Sequence, residues 1–280
     1  MVRDDLGRRM KEFYEQVPKA RLMRRVPVAI RVDGKAFHTF TKFFKKPFDP
    51  ILVKSMQDTM LYLCNHIQGC VFGYTQSDEI TLILCDYQTL TTSAWFDYEV
   101  QKMCSVAASM ATLAFNQAFE SHVDAMLEDI CRSGEPTEES MGYVNALLAA
   151  KDVGAMFDAR VFNIPKEEVA NLIYWRQLDA MRNSIEMVGH AVFKQSALHG
   201  QSCVQIVNML QEIGINYDAD FPTHLKRGSC AVKRIVPMEL VGFPFVAQIM
   251  RKKWVIDTNI PVFKDEGRKY IEREIRFEND

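Results

Sequence analysis

Apolar and polar residues change their period several times along this chain, and each change marks an element. Residues 26–33, VPVAIRVD, alternate: Val28, Ile30 and Val32 face one way, Ala29, Arg31 and Asp33 the other. That predicts a strand ending on an acidic residue. Asp49-Pro50 reads as an N-cap with proline at the first helical position, and Leu52, Met56, Met60, Leu63 and Ile67 follow at helical spacing. CVFGYT (70–75) and EITLIL (79–84) predict a hairpin closed at Gln76-Ser77-Asp78. A helix is predicted from Ser93 through Phe115, an exposed loop at 129–140 (DICRSGEPTEES), a short helix from Met141 to Lys151, and a strand at 159–165 (ARVFNIP). Ahead of all these, Leu6 to Val17 predicts an opening helix.

The order strand, helix, strand, strand, helix, strand is the split-βαβ, ferredoxin-like plan of an α+β protein. After Lys166 the pattern changes. Helices are predicted over Lys166–Lys194 and, past a break at Gly200, Ser202–Ile213; CAVKRIV and KKWVIDTNIPVF then read as strands. The expected organisation is a catalytic domain at 1–165 with an appendage at 166–280 packed on it, or one continuous domain.

Composition narrows the class. At 280 residues, with 48% hydrophobic and 25% charged, the chain is an ordinary globular protein with ample length for a core. Its apolar runs are strand-length, short of the roughly 20 residues of a spanning helix. The first residues, MVRDDLGRRMKEFYEQ, lack the apolar core of a signal peptide. Seven scattered cysteines with no C-x-x-C pair argue against a zinc site or disulfide framework, and the expected compartment is the cytoplasm. A net charge of −2 argues against a protein that simply coats nucleic acid, although short basic clusters occur at Arg21, Arg24 and Arg25, at Lys233 and Arg234, and at 251–253.

The candidate chemistry lies at two strand ends. In a split-βαβ sheet the first strand and the hairpin are neighbours, so Asp33 and Asp78 meet at one end, with Glu79 beside them. Each alone is an ordinary turn residue. Together, two close carboxylates repel unless a cation neutralises them, and magnesium is held by one or two carboxylates plus water and phosphate oxygens. The loop from Gly34 to Phe48 carries Lys35, His38, Lys42, Lys45 and Lys46, and its backbone N–H groups could cradle phosphate oxygens; it could equally be a solvated basic loop. Its phenylalanines are expected mostly in the core.

These segments carry a resemblance. RVDGKAFHTF, KKPFD and GYTQSDE, in that order, resemble motifs of the tRNA-histidine guanylyltransferase family, and so do MKEFYE, FDARVFNIP and WRQLDAMRNSI. The resemblance spans most of the chain. It implies a palm like that of polymerases and nucleotidyl cyclases, and addition of nucleotides in the 3′→5′ direction. It implies two Mg2+ ions on Asp33 and Asp78, the Gly34 carbonyl on metal, and a catalytic Glu79 completing S-D-E. It implies binding of ATP and GTP through Lys35, Ala36, Phe37, His38, Lys46, Asp49, Ser77, Lys102 and Asn183. Partners implied are tRNA and nucleoside triphosphates, and the assembly a homotetramer. Where eukaryotic members carry HINN, this chain has Met181–Ser184, MRNS, and Glu99 replaces a basic residue one turn before Lys102. That resembles the bacterial and archaeal-type branch, which repairs 5′-truncated tRNA on the opposite strand as template. The alternatives are a dedicated tRNA-His guanylyltransferase, a nucleotidyl cyclase on the same palm, or a silent RNA-binding scaffold.

Overall fold

The computed structural model describes residues 5–133, 138–242 and 245–275. Six strands form one antiparallel sheet: β1 (Val28–Gly34), β2 (Cys70–Gln76), β3 (Glu79–Leu84), β4 (Phe157–Asn163), β5 (Ser229–Gly242) and β6 (Phe245–Asp257), in the order β4-β1-β3-β2-β5-β6. The first four are the ferredoxin-like set, as the strand and helix order predicts. β5 joins the free edge of β2, so the C-terminal part extends the same sheet.

The strand alternation sets the two faces. Val28, Ile30, Val32, Ile80, Leu82 and Leu84 pack beneath the Pro50–His66 and Val100–Ser133 helices. Ala29, Phe72, Tyr74, Ile83 and Val232 face the Val169–Val192 helix and the short C-terminal Arg268–Glu274 helix. A third, small cluster (Val188, Leu198, Ile206, Leu210 and Tyr217) ties the later helices to the Val169–Val192 helix.

Three segments depart from expectation. The predicted Ser93–Phe115 helix starts only at Val100, because Phe96, Asp97 and Tyr98 take left-handed φ angles of 49°, 51° and 56° in a tight turn. It then runs to Ser133, 34 residues, and the next helix begins at Glu138, so most of the predicted 129–140 loop is helical and 134–137 lies outside the described residues. The cause is legible afterwards: Ala107, Ala111, Phe115, Phe119 and Val123 keep one buried face well past Phe115. The opening helix is α-helical only at Asp5–Met10, continues as a wider turn over Lys11–Glu15, and buries none of its residues.

Candidate active site

The site is assembled where β1 ends. The Gly34 N–H donates to the Asp78 carbonyl at 3.1 Å, locking the end of β1 to the tip of the β2–β3 hairpin. The next N–H, of Lys35, donates to Met156 at 2.8 Å and fixes the other side to the start of β4. A side chain at position 34 would put its Cβ 2.3 Å from the Phe37 ring, which is itself wedged against Phe115 and Phe157. Glycine is therefore required by packing at this point.

Register then aligns the acidic residues. Asp33 lies opposite Glu79 on β3 and opposite Asp158 on β4, so three carboxylates cross the sheet on one face. Two strand positions earlier, Arg31 lies opposite Arg160. Arg160 Nη2 is 3.9 Å from Asp33 and 3.6 Å from Asp158. Glu79 is buried and its carboxylate accepts from Arg176 Nη1 at 2.9 Å, with Arg31 Nε at 3.9 Å. The two guanidiniums sit over Trp175, whose ring is half exposed: Arg176 at 3.6 Å and Arg31 at 5.7 Å from its centroid. The Nε atoms of both arginines are buried without a hydrogen-bond partner among the described residues.

Asp78 differs from Glu79 in having no ion pair among the described residues. Burial raises the proton affinity of its carboxyl, the Ser77 hydroxyl bond at 3.0 Å opposes that, and the charge of Asp33 adds to the rise. For Glu79 burial also raises proton affinity, and Arg176 is the main opposing influence. Asp78 is thus a largely buried carboxylate that feels the charge of Asp33, while Asp33 itself has Arg160 at 3.9 Å. Among the described residues no group of three or more acidic, histidine or cysteine side chains converges as a metal cage. A magnesium site does not need one, since substrate phosphates and water complete its shell.

The loop after Gly34 turns sharply. Ala36 has φ +55° and leads into a single helical turn, Phe37–Phe40. Phe37, Phe40 and Phe44 enter the core with Phe115 and Phe119, Phe48 packs against Phe221, and Phe43 stays 72% exposed. Lys35, His38 and Lys46 are exposed; His38 Nε2 is 3.0 Å from the Thr39 hydroxyl, and Lys46 Nζ is 3.5 Å from the Thr41 carbonyl. Asp49 is buried and fully engaged: it caps its helix through the N–H groups of Ile51 and Leu52, and also accepts from the Lys45 N–H and the Tyr143 hydroxyl at 2.7 Å. Such a cap stabilises by about 1 kcal/mol and here also anchors the loop.

Asn183 and Ser77 share a cavity of about 80 Å³ with Asp49 and His224, between the start of the Pro50–His66 helix and the middle of the Val169–Val192 helix. Asn183 Nδ2 lies 3.3 Å from Asp179. Lys102 is not brought to this group. It stands in the first turn of the Val100–Ser133 helix at the opposite end of the sheet, with Nζ 4.7 Å from the centre of the Phe96 ring. The residues that sequence reasoning missed are Arg31, Asp158, Arg160, Trp175 and Arg176. A signal existed for each: Arg31 is two positions before Asp33, Asp158 and Arg160 alternate along FDARVF, and Trp175 and Arg176 open the segment WRQLDAMRNSI.

Described helices include none long and apolar enough to cross a membrane. Known proteins share this fold. A bacterial tRNA-His guanylyltransferase-like protein in complex with ATP superposes with a TM-score of 0.77 at 34% identity, over 97% of this chain and 99% of that one. A bacterial guanylyltransferase-like protein in complex with GTP gives 0.73 at 32% identity, over 97% and 99%. The tRNA(His) guanylyltransferase of Schizosaccharomyces pombe is 23% identical over 243 residues, covering 81% of this chain and 82% of that protein. The family model described as tRNA-His guanylyltransferase matches residues 7–165, which hold both aspartates, the loop and the S-D-E turn. With the palm-like sheet, the paired aspartates and that match in agreement, the chain belongs to the tRNA-His guanylyltransferase family and is a nucleotidyltransferase.

Proposed function

We propose that this enzyme adds nucleotides in the 3′→5′ direction to the 5′ end of truncated tRNA, using the opposite strand as template. The observation that carries the reading is the backbone hydrogen bond from the Gly34 N–H to the Asp78 carbonyl, which ties the strand end that bears Asp33 to the turn that bears Asp78. The ATP- and GTP-bound relatives supply the nucleotide class. The MRNS stretch at Met181–Ser184 favours repair over a reaction dedicated to tRNA-His.

A 5′-monophosphate is first activated with ATP or GTP, forming a 5′–5′ phosphoanhydride and releasing pyrophosphate. The 3′-hydroxyl of the incoming triphosphate then attacks the activated phosphorus, and the activating nucleotide leaves as its monophosphate. Asp33 and Asp78, with the Gly34 carbonyl, would hold two Mg2+ ions; when bound, these neutralise phosphate charge and lower the proton affinity of the attacking hydroxyl. The buried Asp78 carboxylate, raised in proton affinity by burial and by the charge of Asp33, is the feature of the chain that fits them. Lys35, His38 and Lys46 offer donors to the triphosphate. Ala36 and Phe37 offer backbone N–H groups where the left-handed residue opens a helical turn. Ser77 and Asn183 line the adjoining cavity and suit a second nucleotide or the RNA end. Asp49 acts by holding the loop, and Glu79, clamped by Arg176, positions the row beside Asp33. Phosphoryl-type chemistry asks for this kind of placement more than for a nucleophilic side chain.

The test is a panel of tRNAs lacking 5′ nucleotides, tRNA-His without its extra residue among them, each incubated with ATP and one triphosphate at a time. The expected product is a 5′ extension complementary to the opposing base in several tRNAs. Extension of tRNA-His alone would make this a dedicated guanylyltransferase, and a cyclic nucleotide formed without RNA would replace the reading by a cyclase.

The same proposal includes a homotetramer. Leu6, Phe13, Tyr14 and Val17 of the opening segment are 60%, 64%, 65% and 72% exposed, large apolar side chains that the described residues leave uncovered. Phe13→Glu with Tyr14→Glu is expected to lower the assembly's mass in light scattering while the melting curve of the sheet core persists. An unchanged mass would place subunit contacts elsewhere.

A further inference from the structure

The chain holds a second charged feature, at the end of the sheet remote from the aspartates. β5 pairs with β2 over only three residues, Ser229 to Ala231, then continues to Gly242 with β6 alone. β2 meanwhile bulges between Cys70 and Phe72. The edge of β5 that β2 abandons opens into a groove of 520 Å³. Four cations line it, Lys233, Arg234, Lys252 and Arg273, from both ribbon strands and the C-terminal helix, against one carboxylate, Glu274. Glu274 is already taken by Arg234 and by Arg273, at 3.0 and 2.9 Å. Lys233 is packed with Nζ 4.7 Å from the centre of the Trp254 ring. Burial lowers its proton affinity, and the charge of Lys252 works in the same direction. An anion seated there would favour the charged amine and so oppose both.

The ligand is a polyanion rather than a single small anion. The groove is open-sided, and the face of the ribbon that carries Arg234 also carries exposed Lys253, its cross-strand partner on β6, and exposed Arg251 two positions before it. In a chain of net charge −2, that row concentrates positive charge at one end. The distance also matters. β2 spans the gap from the Gln76 end, beside Asp78, to Cys70 at the groove, about 20 Å for a strand of this length. A nucleotide bound at the aspartates does not reach that far, whereas an RNA helix does.

We infer that the groove at the root of the β5–β6 ribbon binds the phosphate backbone of the RNA substrate away from its reacting end. It would carry affinity and orientation without reading sequence. This rests on the RNA-repair reading above.

The test uses full-length protein, a labelled tRNA lacking its first 5′ nucleotide, and fluorescence anisotropy across a series of salt concentrations. In the Lys252→Gln, Arg273→Gln variant the slope of log affinity against log salt should shrink by about 1.8, two phosphate contacts at ~0.9 each. Affinity for ATP with magnesium, measured by calorimetry without RNA, should not change. The charge-keeping Lys252→Arg, Arg273→Lys variant should retain the wild-type slope. An unchanged slope in the glutamine variant, in an enzyme that still extends tRNA, overturns the groove and leaves the function standing. Tight, groove-dependent RNA binding by a wild-type protein that adds no nucleotide does the reverse. Wild-type protein that binds no RNA overturns both.

Discussion

Asp78→Ala is expected to give a folded protein that has lost nucleotide addition. The side chain accepts from the Ser77 hydroxyl and from its own backbone, and the carbonyl that holds Gly34 belongs to the backbone and survives the change. The carboxylate is a cost to the fold, since burial and Asp33 both raise its proton affinity. The sign follows by linkage: a folded-state pKa above the unfolded one means the folded state is favoured while Asp78 is protonated. The cost appears as pH rises through the raised value. At neutral pH the substitution should therefore change stability by no more than about 1 kcal/mol. Activity should fall by roughly 10³-fold, equivalent to ~4 kcal/mol of transition-state stabilisation. Asp33→Ala should match it. Thermal unfolding beside single-turnover extension of a truncated tRNA separates the two effects. Wild-type activity in either variant would end the metal assignment, and loss of the melting transition would make the residue structural.

The strand frame was legible because periodicity reports it directly. VPVAIRVD and EITLIL predict their strands to within two residues, and the split-βαβ order then forces β1 beside β3. That was enough to bring Asp33 to Asp78. Three things were not legible. The Val100–Ser133 helix runs on through DICRS because one buried face persists while the rest of the surface turns polar, and composition reads such a surface as loop. Phe96 and Asp97 adopt left-handed backbone that neither residue type signals. Arg176 lies 97 residues from Glu79, and no local pattern links a helix to a strand across that separation. Lys102, matched by motif, stands in the first turn of the Val100–Ser133 helix beside Phe96, away from the aspartates of its own chain, a separation that no local pattern signals.

Arg176→Ala should be the most damaging of these changes to stability. Arg176 and Glu79 are both buried, 7% exposed each, and 2.9 Å apart. Removing one partner leaves a buried carboxylate with Arg31 at 3.9 Å as its remaining cation and the charge of Asp33 acting against it. Orphaning a buried charge in this way costs about 3–5 kcal/mol. Against a typical reserve of ~5–15 kcal/mol, that lowers the melting temperature by on the order of 10 °C. Part of the loss is packing, because the guanidinium also stacks on Trp175 at 3.6 Å. A double-mutant cycle with Glu79→Gln separates the two: the charge-dependent share disappears when Glu79 is already neutral, whereas the packing share remains. pH supplies a second handle. Without Arg176 the proton affinity of Glu79 rises further, so the variant keeps its stability at low pH and loses it as pH rises through the raised value. The deficit should therefore widen from weakly acidic to neutral solution. A deficit that is the same at every pH and untouched by Glu79→Gln would reduce Arg176 to a packing residue. Glu79 would then be left without the clamp that keeps it in register beside Asp33.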